Sequence, residues 1–451
     1  MKIPDISIDS IKKDTEIYID WLQKIETRVD SDLILAGPFS FPDYPVWPRD
    51  FDNFHYPLGM RKLLTMGFSG IKETAYINAQ NMEGNQREYL LLINKVYSAV
   101  TAVIERYADT AKEKRHHNLA HACRALSVRA PASFLEACQL YWFATLFRIG
   151  TATIGRMDQH LYQYYKNDRE SMRISSTTAR NLVGELLFRF EKRGNIKGDT
   201  LQNVTLGGKD ALGRDQTNEL TYMILELFLK KKYLEPKINI RVHEGSPENL
   251  LNIAAQLQLK GTGICTIFND ESIADSLLQY GRPAQLAFDY CSDGCSEIIL
   301  DGYGETAFRY VDCVKAVEHT LFNGEENVPS RKKLQYYSAT QDYTDVVPPV
   351  PKGIKTGDFL KMDSFEDFYE AYLAQLKYQV DVVLKKPYNA DEYPMRLFTA
   401  ATMPDESAME SLRRVSSQAQ VPPAAEMASG ATPATRGCRR SARTPRPGCL
   451  S

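Results

Sequence analysis

Apolar side chains recur every three or four positions over residues 10–29, 86–114, 133–147, 175–193, 215–231 and 249–259. That is the period of a helix with one buried face, so the chain is expected to be mostly helical. Two short runs break the pattern. Residues 237–241 (KINIR) alternate as a strand does, and residues 263–268 (GICTIF) form a brief apolar run after glycines. Helical spacing follows each, at 247–260 and 271–280, which predicts strand–helix–strand–helix units of an α/β fold. Residues 323–358 are rich in proline, lysine and tyrosine and read as a long exposed connector. An amphipathic helix is expected again over residues 364–383.

Near the C-terminus the character changes. No aromatic residue follows Phe398 and no lysine follows Lys386. Residues 404–451 are dominated by Ala, Pro, Arg, Ser, Gly and Thr and lack the apolar content of a packed core. A domain over residues 1–403 with a disordered or out-of-frame tail is expected.

Composition narrows the function classes. A net charge of −2 offers no basic stripe for nucleic acid. The N-terminal residues have no apolar core of a secretory signal. The most apolar stretch, 131–149, is interrupted by Glu136, Gln139 and Arg148, and is too short and polar to cross a bilayer. A cytoplasmic protein with no nucleic-acid or membrane partner is expected. The 8 cysteines show neither a disulfide framework nor a CxxC pair. Cys123 and Cys138 fall in helical apolar patterns and read as small buried hydrophobes, while Cys438 and Cys449 lie in the tail. Cys265, Cys291, Cys295 and Cys313 remain for chemistry.

The richest stretch is 288–305, FDYCSDGCSEIILDGYGE. Gly294 permits close backbone approach beside Cys295. In an extended loop, residues two apart face the same side about 6–7 Å apart, so Cys295 and Glu297 would converge on one substrate. Asp293 and Tyr290 are candidate pocket-lining residues, with a solvated or capping role as the equal alternative. A cysteine hydrolase would pair Cys295 with His243 or His319 and use Glu297 to orient the imidazole, but His319 sits in a helical pattern that suits a structural histidine. Cys291, Cys295 and Cys313 lack the paired spacing of structural zinc. His117 and His121 stand at i, i+4 without an intervening Glu or a third ligand, and read as a solvated helix face. A non-catalytic fragment or a module that binds another polypeptide stays open.

Gly294-Cys295-Ser296-Glu297 resembles the Gly-Cys-x-Glu loop of the glycyl-radical enzymes, the family of pyruvate formate-lyase. Other segments are similar in the same order. They are residues 129–139 (RAPASFLEACQ), the GRMDQ of 155–159 with Tyr162, Tyr164 and Tyr165, and residues 203–208 with Gly213, Asp215 and the NEL of 218–220. Residues 236–241 and the FND of 268–270 complete the set, although Gln163 replaces a usual proline. The resemblance implies a ten-stranded β/α barrel of two antiparallel five-stranded halves, surrounded by helices. A cysteine loop and a glycine loop meet inside it.

The same resemblance implies a thiyl radical at Cys295, formed by hydrogen transfer to a glycyl radical, in a water-excluded cavity. Such a transfer needs a thiol, and a carboxylate in a dry site pushes a cysteine up from its usual ~8.5. Glu297 is implied as general base on a small polar substrate. Ser296, where pyruvate formate-lyase has a second cysteine, favours the dehydratase and lyase branch, although Ile298 replaces a usual proline. No bound cofactor is implied. The radical is installed by an S-adenosylmethionine-dependent iron–sulfur activating enzyme, and homodimers are common. The Arg-Val-x-Gly-Tyr glycine loop has no counterpart, because Arg414-Val415-Ser416 is followed by Ser417. The expectation is the first half of a barrel whose second half and glycine loop are absent. Such a chain would be inactive alone, from a parent acting as a radical lyase or dehydratase.

Overall fold

The computed structural model describes residues 8–41, 54–148, 152–197, 202–294, 297–301, 306–307, 311–325 and 352–385. Cys295, Ser296, most of the expected connector and the tail from residue 404 lie outside the described residues.

Helices α1 (Ile8–Lys24), α2 (Met60–Gln80), α3 (Gly84–Glu113), α4 (His117–Val128) and α5 (Phe134–Phe147) form the N-terminal layer. Ser133 starts α5 by accepting a hydrogen bond from the Glu136 N–H. A one-faced stripe was the expectation for α5, and the structure corrects it. Every residue from Phe134 to Phe147 except Leu135 is buried, because a helix that is apolar all round must be covered all round. Each of its large side chains contributes about 1.5–3 kcal/mol of burial, so α5 anchors the core. On α4, His117 and His121 are exposed, as the spacing implied.

Strands and helices then alternate: β2 (Ala152–Thr153), α6 (Met157–Glu170), α7 (Ser176–Lys197), β3 (Asn203–Gly207), α8 (Glu219–Lys230), β4 (Lys237–Val242), α9 (Glu248–Leu259), β5 (Cys265–Asn269), α10 (Asp270–Gln279) and α11 (Ala284–Ala287). The expected strand–helix–strand–helix unit is β4–α9–β5–α10. Helix α8 begins later than its periodicity implied, because Asn218 and Thr221 form a reciprocal capping box that fixes the start at Glu219. β1 (Phe54–Pro57) pairs parallel with β2 and antiparallel with β8 (Thr306–Ala307). β3, β4 and β5 are parallel in that order. A parallel bridge between Gly155 and Val204 connects the two groups, so β1 to β5 lie side by side in chain order.

Parallel strands buried on both faces are usually apolar throughout. These alternate. Val204, Leu206, Ile238 and Ile240 join the hydrophobic core, while Asn203, Thr205, Asn239 and Arg241 occupy the other face. These polar residues are also at most 1% exposed. What covers them is a hairpin of β6 (Tyr290–Asp293) and β7 (Glu297–Leu300). The extended loop expected there is therefore corrected to two paired strands. Beyond it, α12 (Cys313–Leu321) packs on α13 (Phe365–Lys385), the latter where residues 364–383 predicted a helix.

Candidate active site

The polar face of the sheet grips the backbone of the hairpin. Asn203 Nδ2 donates to the Gly294 carbonyl at 2.8 Å, the Ser292 N–H donates to Thr205 Oγ1 at 2.9 Å, and Thr153 Oγ1 donates to the Ser292 carbonyl at 2.7 Å. Arg241 donates to the carbonyls of Tyr290 (3.1 Å) and Phe288 (2.9 Å) and to Asp270 Oδ1 (2.7 Å). Arg156 donates to Asp289 Oδ1 (2.8 Å) and the Gly207 carbonyl (2.7 Å). Buried carbonyls outside a strand ladder need donors from elsewhere, and a guanidinium supplies several from one group. Room for Arg241 comes from Gly208, which has φ +85°, and where a Cβ would fall 2.5 Å from the Arg241 Nε.

Register decides which side chains meet. Cys291 opposes Ile299, Ser292 opposes Ile298 and Asp293 opposes Glu297. Alternation then puts Cys291, Asp293, Glu297 and Ile299 on one face of the hairpin, with Tyr290 and Ser292 on the other. Asp293 and Glu297 are thus brought together and Tyr290 is not with them. Tyr290 instead lies under Arg241, whose guanidinium carbon is 4.0 Å from the ring centroid. Both Tyr290 and Asp293 are fully buried, which leaves neither a solvated role. Glu297 is half-buried. Gly294 opens the turn with φ +53°, a conformation that suits glycine, and Cys295 follows it.

The surroundings of Cys291 disfavour its thiolate. Burial pushes the Cys291 thiol well up, helped by Asp301, Asp293 and Asp289. Burial also opposes ionisation of Asp289, but Arg156 and Arg61 outweigh it and hold that carboxyl below the usual range. Burial raises the Tyr290 phenol as well. Both ring nitrogens of His243 are engaged, Nε2 with Asp215 Oδ1 (3.1 Å) and Nδ1 with the Gly245 N–H (3.1 Å), so it is not a free base for a cysteine. His319 is buried in α12. Among the described residues no group of three or more His, Cys, Asp or Glu is placed to hold a metal, and no helix is long and apolar enough to cross a membrane.

Sequence reasoning quoted Arg156 and Arg241 only as motif letters. An arginine on the polar side of an alternating strand was the available signal for Arg241. His160 and Asp301, which approach each other just after β7, carry no local signal.

The pyruvate formate lyase-like family matches residues 53–409. The chain belongs to this family. The motif resemblance to glycyl-radical enzymes is thereby confirmed. Among curated relatives, trans-4-hydroxy-L-proline dehydratase of Clostridioides difficile is 27% identical over 317 residues, covering 66% of this chain and 38% of the relative. Isethionate sulfite-lyase of Oleidesulfovibrio alaskensis is 26% identical over 383 residues, covering 76% and 43%. The chain therefore matches about two-fifths of the length of these relatives. The B12-independent glycerol dehydratase from Clostridium butyricum, in a glycerol-bound form, superimposes with a TM-score of 0.67 at 21% identity, over 90% of this chain and 64% of that one. The mostly helical α/β fold of this family member is thus shared with that dehydratase.

Proposed function

We propose that this chain carries the thiyl-forming and proton-accepting part of a glycyl-radical dehydratase or lyase, with Cys295 and Glu297 as its reacting groups. The observation that supports this most is the hairpin. It presents Glu297 and Asp293 on one face, each two positions from Cys295 in the chain, and is held from behind by buried hydrogen bonds with Arg241, Asn203, Thr205 and Thr153. Hydrogen-atom transfer demands a fixed approach, because small misplacements cost large factors in rate.

In this reading the sulfur of Cys295 takes a hydrogen atom from a substrate carbon. Glu297 takes a proton from the adjoining hydroxyl as the neighbouring leaving group departs. The Cys295 thiol then returns its hydrogen atom to the product radical. The strands β1 to β5 are read as the first half of the barrel, with β5 as the edge at which a second half would continue. The radical itself would originate on a glycine loop supplied by a second polypeptide, installed by an activating enzyme, and the assembled enzyme is proposed to dimerise. The chain alone is proposed to be inactive.

The relatives' names point to small hydroxylated polar molecules, and the same class is proposed here. The test is anaerobic. The chain is mixed with an activating enzyme and a polypeptide carrying an Arg-Val-x-Gly-Tyr loop, then offered glycerol, trans-4-hydroxy-L-proline and isethionate. Turnover of one of them is expected by mass spectrometry. Cys295→Ser should abolish it and Glu297→Gln should slow it by ~10²–10⁴-fold. Turnover that persists in Cys295→Ser removes the assignment.

A further inference from the structure

Three side chains from three elements form a buried chain at the outgoing end of the hairpin. The hydroxyl of Tyr141, on α5, lies 2.9 Å from the Ile154 carbonyl and 2.9 Å from Nδ1 of His160, on α6. His160 Nε2 lies 3.5 Å from Oδ2 of Asp301, the residue after β7, and the two side chains are 1% and 5% exposed. At the start of α2, Asp301 Oδ1 also accepts the Gly59 N–H at 3.0 Å and Oδ2 the Arg61 N–H at 3.4 Å.

Proton counting fixes the roles. A phenol has one proton and a carbonyl only accepts. Serving Ile154 makes Tyr141 the donor there and the acceptor from His160 Nδ1–H. The neutral imidazole then turns its Nε2 lone pair toward Asp301, and that nitrogen has no hydrogen-bond partner in the arrangement shown. Two bare acceptors would face each other at 3.5 Å unless a proton lies between them. The opposite tautomer would deprive the buried Ile154 carbonyl of this donor and leave a charged carboxylate in a dry site, both of which cost free energy.

The electrostatics agree. Burial, then Arg61, lowers His160 to about 3, with Asp289 opposing. Burial, then Asp289, raises Asp301 to about 6, against the N–H and guanidinium of Arg61. The groups that face the pair are Arg61 from α2, Tyr141 from α5, Arg156 ahead of α6, and Asp289 and Cys291 from the incoming arm of the hairpin.

We propose that Asp301 and His160 are positioning residues for the hairpin: a neutral Asp301 carboxyl donates to His160 Nε2 and locks the end of β7 to α6, and ionisation of Asp301 releases it. The functional meaning rests on the reading of this hairpin as the bearer of Cys295 and Glu297.

The signs explain why global stability would hide the lock. Asp301, raised to about 6, contributes stability that is full below its unfolded value of ~3.9 and is lost as pH rises through its folded value. His160, lowered to about 3, costs stability below its unfolded ~6.5, increasingly so toward its folded value. Between about pH 4 and 6 the pair holds one proton in either state, on the imidazole when unfolded and on the carboxyl when folded. The two effects cancel there, so the readout must be local.

The test uses the full chain with ¹⁵N-labelled histidine, together with amide hydrogen exchange at residues 290–293 and 297–300. His160 is expected to be neutral and protonated at Nδ1 at pH 5, where Asp301 still holds its proton. Protection of the hairpin amides, corrected for intrinsic exchange, should fall ~10-fold or more between pH 5 and 8. Asp301→Asn places a permanent N–H donor against Nε2 and keeps the acceptor for Gly59, giving up only the long 3.4 Å contact from the Arg61 N–H to Oδ2, so its protection should stay flat to pH 8. An imidazolium or an Nε2–H tautomer at pH 5 would overturn the proposal. So would an Asp301→Asn variant that loses protection at every pH as Asp301→Ala does. Neither measurement depends on turnover, so a failed lock and a failed assignment of activity are told apart.

Discussion

Replacing Arg241 with Met keeps most of the side-chain volume and removes all five N–H donors. Asp270, 0% exposed like its partner, would keep the Lys209 N–H at 2.8 Å but lose the guanidinium. The carbonyls of Tyr290 and Phe288 would lose donors at 3.1 and 2.9 Å. Breaking a buried ion pair from one side costs about 3–5 kcal/mol, and each orphaned buried carbonyl about 1–3 kcal/mol in isolation. These overlap, so the expected loss is about 4–5 kcal/mol, a large part of the ~5–15 kcal/mol that holds a typical domain. The double variant Arg241→Met/Asp270→Leu removes both charges and should recover ~2 kcal/mol or more. Urea unfolding of the two single variants and the double variant measures the coupling. A single variant within ~1 kcal/mol of the parent, or a double variant no better than Arg241→Met, would refute the claim that this pair holds the hairpin.

Two further outcomes follow from the same packing. Gly208→Ala should destabilise by ~1–3 kcal/mol, and by less in the Arg241→Met background, because the clash at 2.5 Å is with Arg241; urea midpoints give both numbers. In native alkylation followed by mass spectrometry, exposed Cys313 should react at least ~100-fold faster than buried Cys123, Cys138, Cys265 and Cys291, the factor expected where opening costs about 3 kcal/mol. Burial pushes Cys265 up to about 11 and Cys123 up to about 12, which slows them further.

Much of this architecture was legible. Lys237 to Arg241 alternate cleanly, and β4 lies there. The family motifs located the hairpin as the chemically rich segment. Its structure was not legible, because Tyr-Cys-Ser-Asp has no clear polar–apolar alternation and Gly294 reads as a breaker, whereas its φ of +53° makes it the turn between two strands. Strands as short as Ala152–Thr153 carry no period at all and form only because long-range partners supply their hydrogen bonds. The His160–Asp301 contact bridges 141 positions, and no local spacing rule reaches so far. The arginines illustrate the remaining gap. Arg156 and Arg241 were visible as letters, but their role depends on carbonyls of Gly207, Phe288 and Tyr290 that only the fold brings to them.

The central claim is that one sulfur and one carboxylate address the same small molecule in a closed interior. A crystal structure of the chain together with the polypeptide that supplies the glycine loop, grown anaerobically with glycerol, tests it directly. The expected result is Cys295 Sγ about 3–3.5 Å from a glycerol carbon, with the Glu297 carboxylate within hydrogen-bond distance of a hydroxyl of the same molecule. A Cys295 sulfur facing bulk solvent, with Glu297 directed away from it, would contradict the account.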